Sequence, residues 1–206
     1  MPSSYSKFKF EDLAALNIKI KDGILFEKKS IPEVVPSAYL TTTLEKNRKK
    51  KLRTEKAKSE LIITPILNEI EERNALNCAV FSGYNFDVDK SKGLKGYCDY
   101  IFTLDPEAHD IEAPVFYVVE AKNENLDTGT PQCIAELYAA YIFNERKGRK
   151  LPIIYGAVTF GFQWKFIRFS QMIATIDVDT YYLIELPKIL GVLQYIVDIQ
   201  KPPLSI

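Results

Sequence analysis

Hydrophobic and polar positions change period several times along the chain, and each change marks an element. Phe10, Leu13 and Leu16 are spaced for a short opening helix. IKIKDGILFEKK then alternates apolar and polar residues on either side of Asp22-Gly23. That alternation reads as strand, and Asp-Gly favours a type I′ turn, so an N-terminal β-hairpin is predicted. Pro32 to Pro36 is a loop. From about Ala38 to Leu76 the period becomes helical. Ile62, Ile63, Ile66, Leu67 and Ile70 form one apolar stripe, which Pro65 should bend or break.

Three strand-like runs follow: Ala79 to Val88, Tyr97 to Leu104, and VFYVV from Val115 to Val119. The last is short, continuous and β-branched, as expected of a central strand covered on both faces. Thr130-Pro131 has the form of a helix start, with Ile134, Leu137, Tyr138, Tyr141 and Ile142 on one stripe and a stop near Gly148. Two more strands, Ile153 to Phe160 and Phe162 to Phe169, meet at Gly161. A helix opened by Pro187 closes the chain. Strands joined by short links form an antiparallel meander, and a strand reached through a crossover helix pairs in parallel. The expected fold class is therefore α/β, with a mixed central sheet flanked by helices.

Composition narrows the chemistry. The chain has 206 residues, with 27 Lys plus Arg against 27 Asp plus Glu, so any attraction to nucleic acid must come from a local patch. Such a patch exists between Lys46 and Lys58, where Lys49, Lys50, Lys51 and Arg53 are candidate phosphate contacts on a basic helix. Cys78, Cys98 and Cys133 share no metal-ligand spacing and read as reduced thiols. No leader-like or membrane-spanning apolar stretch is seen, so a cytoplasmic protein without membrane contact is expected. His109 is the only histidine. Zinc sites needing several histidines are excluded, and a Ser-His or Cys-His triad is disfavoured.

The remaining candidate chemistry is carboxylate and lysine. Glu120-Ala121-Lys122 stands where the apolar strand runs out, and residues two apart on a strand share a face. Two charged groups leaving an apolar strand together need partners. Glu-x-Lys also occurs at Glu27-Lys28-Lys29 and Glu145-Arg146-Lys147, but in polar settings that read as solvated charge. Only Glu120 has an aspartate, Asp99, on the preceding strand. Asp99 and Glu120 form a hard-oxygen pair suited to Mg²⁺ or Mn²⁺, with Lys122 free to act on charge or water.

GLKGYCDYIF, PVFYVVEAKN and TPQCIAELYAAY together resemble the PD-(D/E)XK nuclease superfamily. They look most like uncharacterised bacterial, often cyanobacterial, members and the nuclease modules of type I restriction subunits. The resemblance spans roughly residues 59–169. It implies a restriction-endonuclease-like core, α-β-β-β-α-β, with residues 1–58 contributing the hairpin and basic helix and 170–206 a C-terminal extension and helix of the same domain. It also implies a metal-dependent deoxyribonuclease with Asp99 and Glu120 on the metal and Lys122 beside the water. Glu60 would match the family's helix glutamate, and Gln132 the glutamine early in the following helix. Cys98 stands where many members have proline. The expected partner is DNA, and a homodimer would supply the two sites that a double-strand cut commonly needs. The alternative is a non-catalytic module on the same fold, binding nucleic acid or protein.

Overall fold

The structure, a computed structural model, describes residues 1–27 and 31–201. Among them, eight strands form one mixed sheet in the order β1-β7-β6-β5-β4-β3-β2, with β8 paired to β6. The middle of the chain supplies the strands nearest the site: β2 (Ala79–Asn85), β3 (Tyr97–Thr103), β4 (Val115–Ala121) and β5 (Ile154–Thr159). β2, β3 and β4 run antiparallel as a meander, and β5 returns parallel to β4. Every residue of β4 is buried, as its unbroken apolar run requires.

Helices cover both faces. The predicted stripe Ile62, Ile63, Ile66, Leu67 and Ile70 is buried in one core with Ile189, Leu190 and Leu193 of α6 (Leu186–Asp198). On the other face, Ile134, Ala135 and Leu137 of α5 (Leu126–Arg146) pack with Leu13 of α1 (Phe10–Ala15). Trp164, on β6 (Gln163–Ser170), is fully buried core, as its alternation with Phe162 and Phe166 suggests.

The predicted N-terminal hairpin is absent. Lys19–Gly23 is a single edge strand, β1, paired in parallel with β7 (Ile173–Asp177). Asp22 and Gly23 lie within that strand, opposite Ile176 and Asp177. A type I′ turn needs positive φ at both central residues, and neither has it. The described part of the second arm, residues 24–27, makes no strand, and Lys28 and Lys29 lie outside the described residues. The two-residue turn with positive φ at both positions is at Gln171 and Met172 (φ 51° and 61°), between Ser170 and its cross-strand partner Ile173. Neither residue type advertises that turn, so β7 and β8 (Tyr181–Tyr182) escape the periodicity reading.

The long helical stretch is also interrupted. α2 (Ala38–Asn47) ends just after Lys46, the first lysine of the basic run, and residues 48–54 are largely irregular. Thr54 then caps the short α3 (Glu55–Lys58), its hydroxyl accepting from Ala57 N at 3.1 Å. A π-helical turn over Ser59–Ile63 leads into α4 (Thr64–Arg73). Pro65 explains the irregularity. It has no N–H to give the carbonyl of Leu61, four residues back. Asn47 Nδ2 donates to that carbonyl instead, at 2.8 Å, and fixes the end of α2 to the π turn. Lys49, Lys50, Lys51 and Arg53 therefore lie exposed on a loop and not along a helix face.

α5 starts earlier than Thr130-Pro131 predicts. Asn125 is the cap, its side chain accepting from Asp127 N at 2.8 Å, and Pro131 sits inside the helix. This extra turn brings the helix start over the end of β4.

Candidate functional site

The site is assembled where β3 enters the core and β4 leaves it. The β3–β4 register pairs Tyr100 with Val119; one step further, Asp99 stands opposite Glu120. Asp99 Oδ2 accepts a 2.7 Å hydrogen bond from Ala121 N, which ties the aspartate to the same strand end. On the other side of β3, the register pairs Ser82 with Tyr100 and Tyr84 with Cys98, which brackets Gly83 opposite Asp99. Gly83 has φ +62° and nothing within 4 Å of where a Cβ would stand. The opening is part of a cleft of about 320 Å³ lined by Asp99, Ser59, Glu60, Ser82, Gly83 and Tyr100 among others. Tyr100 Oη and Thr64 Oγ1 are 2.9 Å apart, so the start of α4 is joined to β3 beside the cleft.

Glu120 is 2% exposed, and its Oε1 pairs with the Lys122 ammonium. Lys122 Nζ also donates to Gln132 Oε1 at 3.2 Å, and Gln132 Nε2 donates to Glu136 Oε1 at 3.0 Å. The start of α5 rests directly on the lysine stem: a Cβ at Gly129 would lie 2.9 Å from Lys122 Cγ and 2.6 Å from Val158 Cγ1. Glycine there permits the approach.

Three carboxyls, Asp99, Glu120 and Glu136, share this poorly solvated volume. Burial pushes Glu120 well above the usual carboxylate range, and the nearby Glu136 and Asp99 add to the shift. Burial likewise raises Asp99, outweighing the Ala121 N–H that favours its charge. Glu136, fully buried, is pushed up to about 8, first by burial and then by Asp99, against the opposing hydrogen bond from Gln132. Burial alone would lower Lys122, but the carboxylate of Glu120 beside it prevails and raises it. Glu120 Oε2 and Glu136 Oε2 are buried without a hydrogen-bond donor among the described residues.

Four of the five residues singled out from sequence, Asp99, Glu120, Lys122 and Gln132, thus meet in one group. Glu60 does not join its hydrogen bonds. Its side chain is 61% exposed and paired with Lys56 at 3.8 Å, on the wall of the cleft that Asp99 also lines. Glu136 escapes the reading of the sequence, although its signal is legible. It is an acid in the run CIAELYAA, where apolar neighbours surround it, and it stands four residues after Gln132 on the same helix face.

The basic run divides in two. Lys58 is buried, donating to both Asn123 O and Asn123 Oδ1 and lying 5.6 Å from the Phe160 ring centre, so it pins the segment after Lys122. Lys49, Lys50, Lys51 and Arg53 are exposed, and Glu55 and Lys56, just beyond them, line the cleft.

Among the described residues, no group of three or more His, Cys, Asp or Glu is placed to hold a metal ion, and no helix is long and apolar enough to cross a membrane. The pair Asp99 and Glu120 nonetheless suits Mg²⁺ in donor chemistry. That ion is commonly held by one or two carboxylates with water and phosphate completing its shell. The donorless oxygen of Glu120 is the unsatisfied group such an ion would neutralise. No protein-family model matches the chain, and no curated protein matches it.

Proposed function

We propose that this chain is a metal-dependent nuclease of the PD-(D/E)XK type, hydrolysing phosphodiester bonds in DNA. The observation that carries the reading is the meeting of Asp99, Glu120 and Lys122 where the start of β3 lies beside the end of β4, with Asp99 lining an open cleft. The surrounding order of helix, three antiparallel strands, crossover helix and parallel strand supports a restriction-endonuclease-like core.

Asp99 and Glu120 would hold Mg²⁺ or Mn²⁺. The ion would supply Lewis-acid polarisation of the phosphate and make a water more acidic. Lys122 would place its ammonium against charge developing on the phosphate or against the attacking water. Gln132 holds that ammonium in place. The exposed Lys49, Lys50, Lys51 and Arg53 would grip phosphates next to the cleft. Cutting both strands of a duplex would use two copies of the chain.

A second reading, a non-catalytic nucleic-acid- or protein-binding module, draws on one observation. Glu120 and Lys122 already neutralise one another, so the pair could be structural. Incubation with plasmid, linear and single-stranded DNA in Mg²⁺, Mn²⁺ or EDTA separates the two. The nuclease reading expects metal-dependent cleavage that disappears in Lys122→Ala. Intact DNA of every form with both metals would overturn it, and a collapsed fold in Lys122→Ala would then favour the module.

A further inference from the structure

We infer that Glu136 is a positioning residue that orients Lys122 through Gln132; its catalytic meaning rests on the nuclease reading above. The sequence of contacts is short. Glu136 Oε1 accepts from Gln132 Nε2 at 3.0 Å, and Gln132 Oε1 accepts from Lys122 Nζ at 3.2 Å.

A primary amide has two ends of opposite character and nearly the same shape. Left alone, Gln132 could present either its oxygen or its NH₂ to the ammonium. The wrong choice would set N–H against N–H. Glu136 Oε1 offers the NH₂ an acceptor on the far side, so the amide oxygen is turned toward Lys122. With Glu120 Oε1 and Gln132 Oε1 each taking one ammonium proton, the third is left for a substrate oxygen, and the side chain keeps 19% of its surface exposed.

Packing does not explain the residue. Glu136 has no exposed surface and lies among Cys133, Ile134, Ala135 and Leu137, all buried. An apolar residue of similar size would avoid the cost of desolvating a carboxyl. Ion pairing does not explain it either, since the contact made by Oε1 is with a neutral amide and Oε2 has no donor.

The test is a double-mutant cycle on the full chain, with single-turnover cleavage of DNA in Mg²⁺ and the Lys122 ammonium signal in ¹⁵N-edited NMR as its two readouts. Glu136→Leu removes the acceptor and Gln132→Leu removes the link. Glu136→Gln keeps an oxygen acceptor and should restore the rate. Glu136→Leu should slow cleavage about tenfold, the lower end of losses seen when an outer partner of a site is removed, with KM for DNA unchanged. The double variant should be no slower than Gln132→Leu alone, because the inferred path from Glu136 to Lys122 runs through that side chain. The ammonium signal should move in the same direction in both single variants. An active parent whose Glu136→Leu variant cuts at the same rate, or losses that multiply in the double, would overturn the inference. If the parent does not cut, the nuclease reading fails by itself, and the ammonium signal decides this one: no movement in Glu136→Leu overturns it. Glu136→Met replaces the leucine variant if that variant does not fold.

Discussion

Replacing Glu136 by Gln should make the metal-free protein more stable at alkaline pH and leave it nearly unchanged at acidic pH. The carboxyl holds its proton to about pH 8 in the folded chain, against an ordinary value of 4.5. Between those two values the folded state binds more protons than the unfolded one, so stability falls as pH rises. Below the lower value both states are protonated and no difference remains. At ~1.4 kcal/mol per pH unit, the gap sets a ceiling of about 5 kcal/mol once the group is fully ionised. Glu120 shares the same buried volume, and the titration belongs to the pair, so about 2–3 kcal/mol is expected. Glutamine carries no charge to desolvate, still accepts from Gln132, and offers an N–H in the neighbourhood of the donorless Glu120 Oε2. Urea unfolding in EDTA, followed by the fluorescence of Trp164, the single and fully buried tryptophan, gives both curves. From about pH 5 to pH 9 the variant should pull ahead of the parent, by roughly 5–10 °C in Tm at the upper end for a chain of this size. Parallel pH profiles for parent and variant would refute the reasoning.

Lys122→Ala should abolish cleavage while leaving Mg²⁺ binding, measured by calorimetry, largely intact; Asp99→Ala should lose both. Gly129→Ala places a Cβ 2.6 Å from Val158 Cγ1 and 2.9 Å from Lys122 Cγ. It should cost about 1–3 kcal/mol in urea unfolding and slow cleavage as well. Replacing Lys49, Lys50 and Lys51 by Gln should weaken DNA binding in filter or anisotropy assays and flatten its salt dependence by up to ~0.9 in log–log slope per lost duplex phosphate contact. Asn47→Ala strips the Leu61 carbonyl of its donor and should cost about 1–2 kcal/mol in the same unfolding assay.

The parts of this fold that are legible in the sequence are those in which burial dictates residue type. VFYVV, short and β-branched, fits a covered strand, and the meander and crossover helix around it follow from the short links and the apolar stripe. Asp99, Glu120 and Lys122 are legible for the same reason, since charges at the end of such a strand stand out. Other features depend on partners far along the chain. Asp22-Gly23 has the chemistry of a hairpin turn, but β7 takes the strand on that side, and no local rule reveals it. Gln171-Met172 makes a tight turn with residue types that rarely adopt positive φ. The basic run has helical spacing, yet Asn47 closes α2 on the π turn one residue after that run begins. Glu136 is hidden by its own surroundings: a charge on a helix is ordinarily read as facing water, and here that face of the helix is against the sheet.

The bond from Asn47 to the carbonyl that Pro65 leaves unsatisfied has an evolutionary reading. The asparagine is needed because the proline is there, and the proline is tolerated because the asparagine is. In homologues that carry another residue at position 65, an ordinary N–H returns and position 47 is released to vary. The two sites, eighteen positions apart, should therefore change together in an alignment.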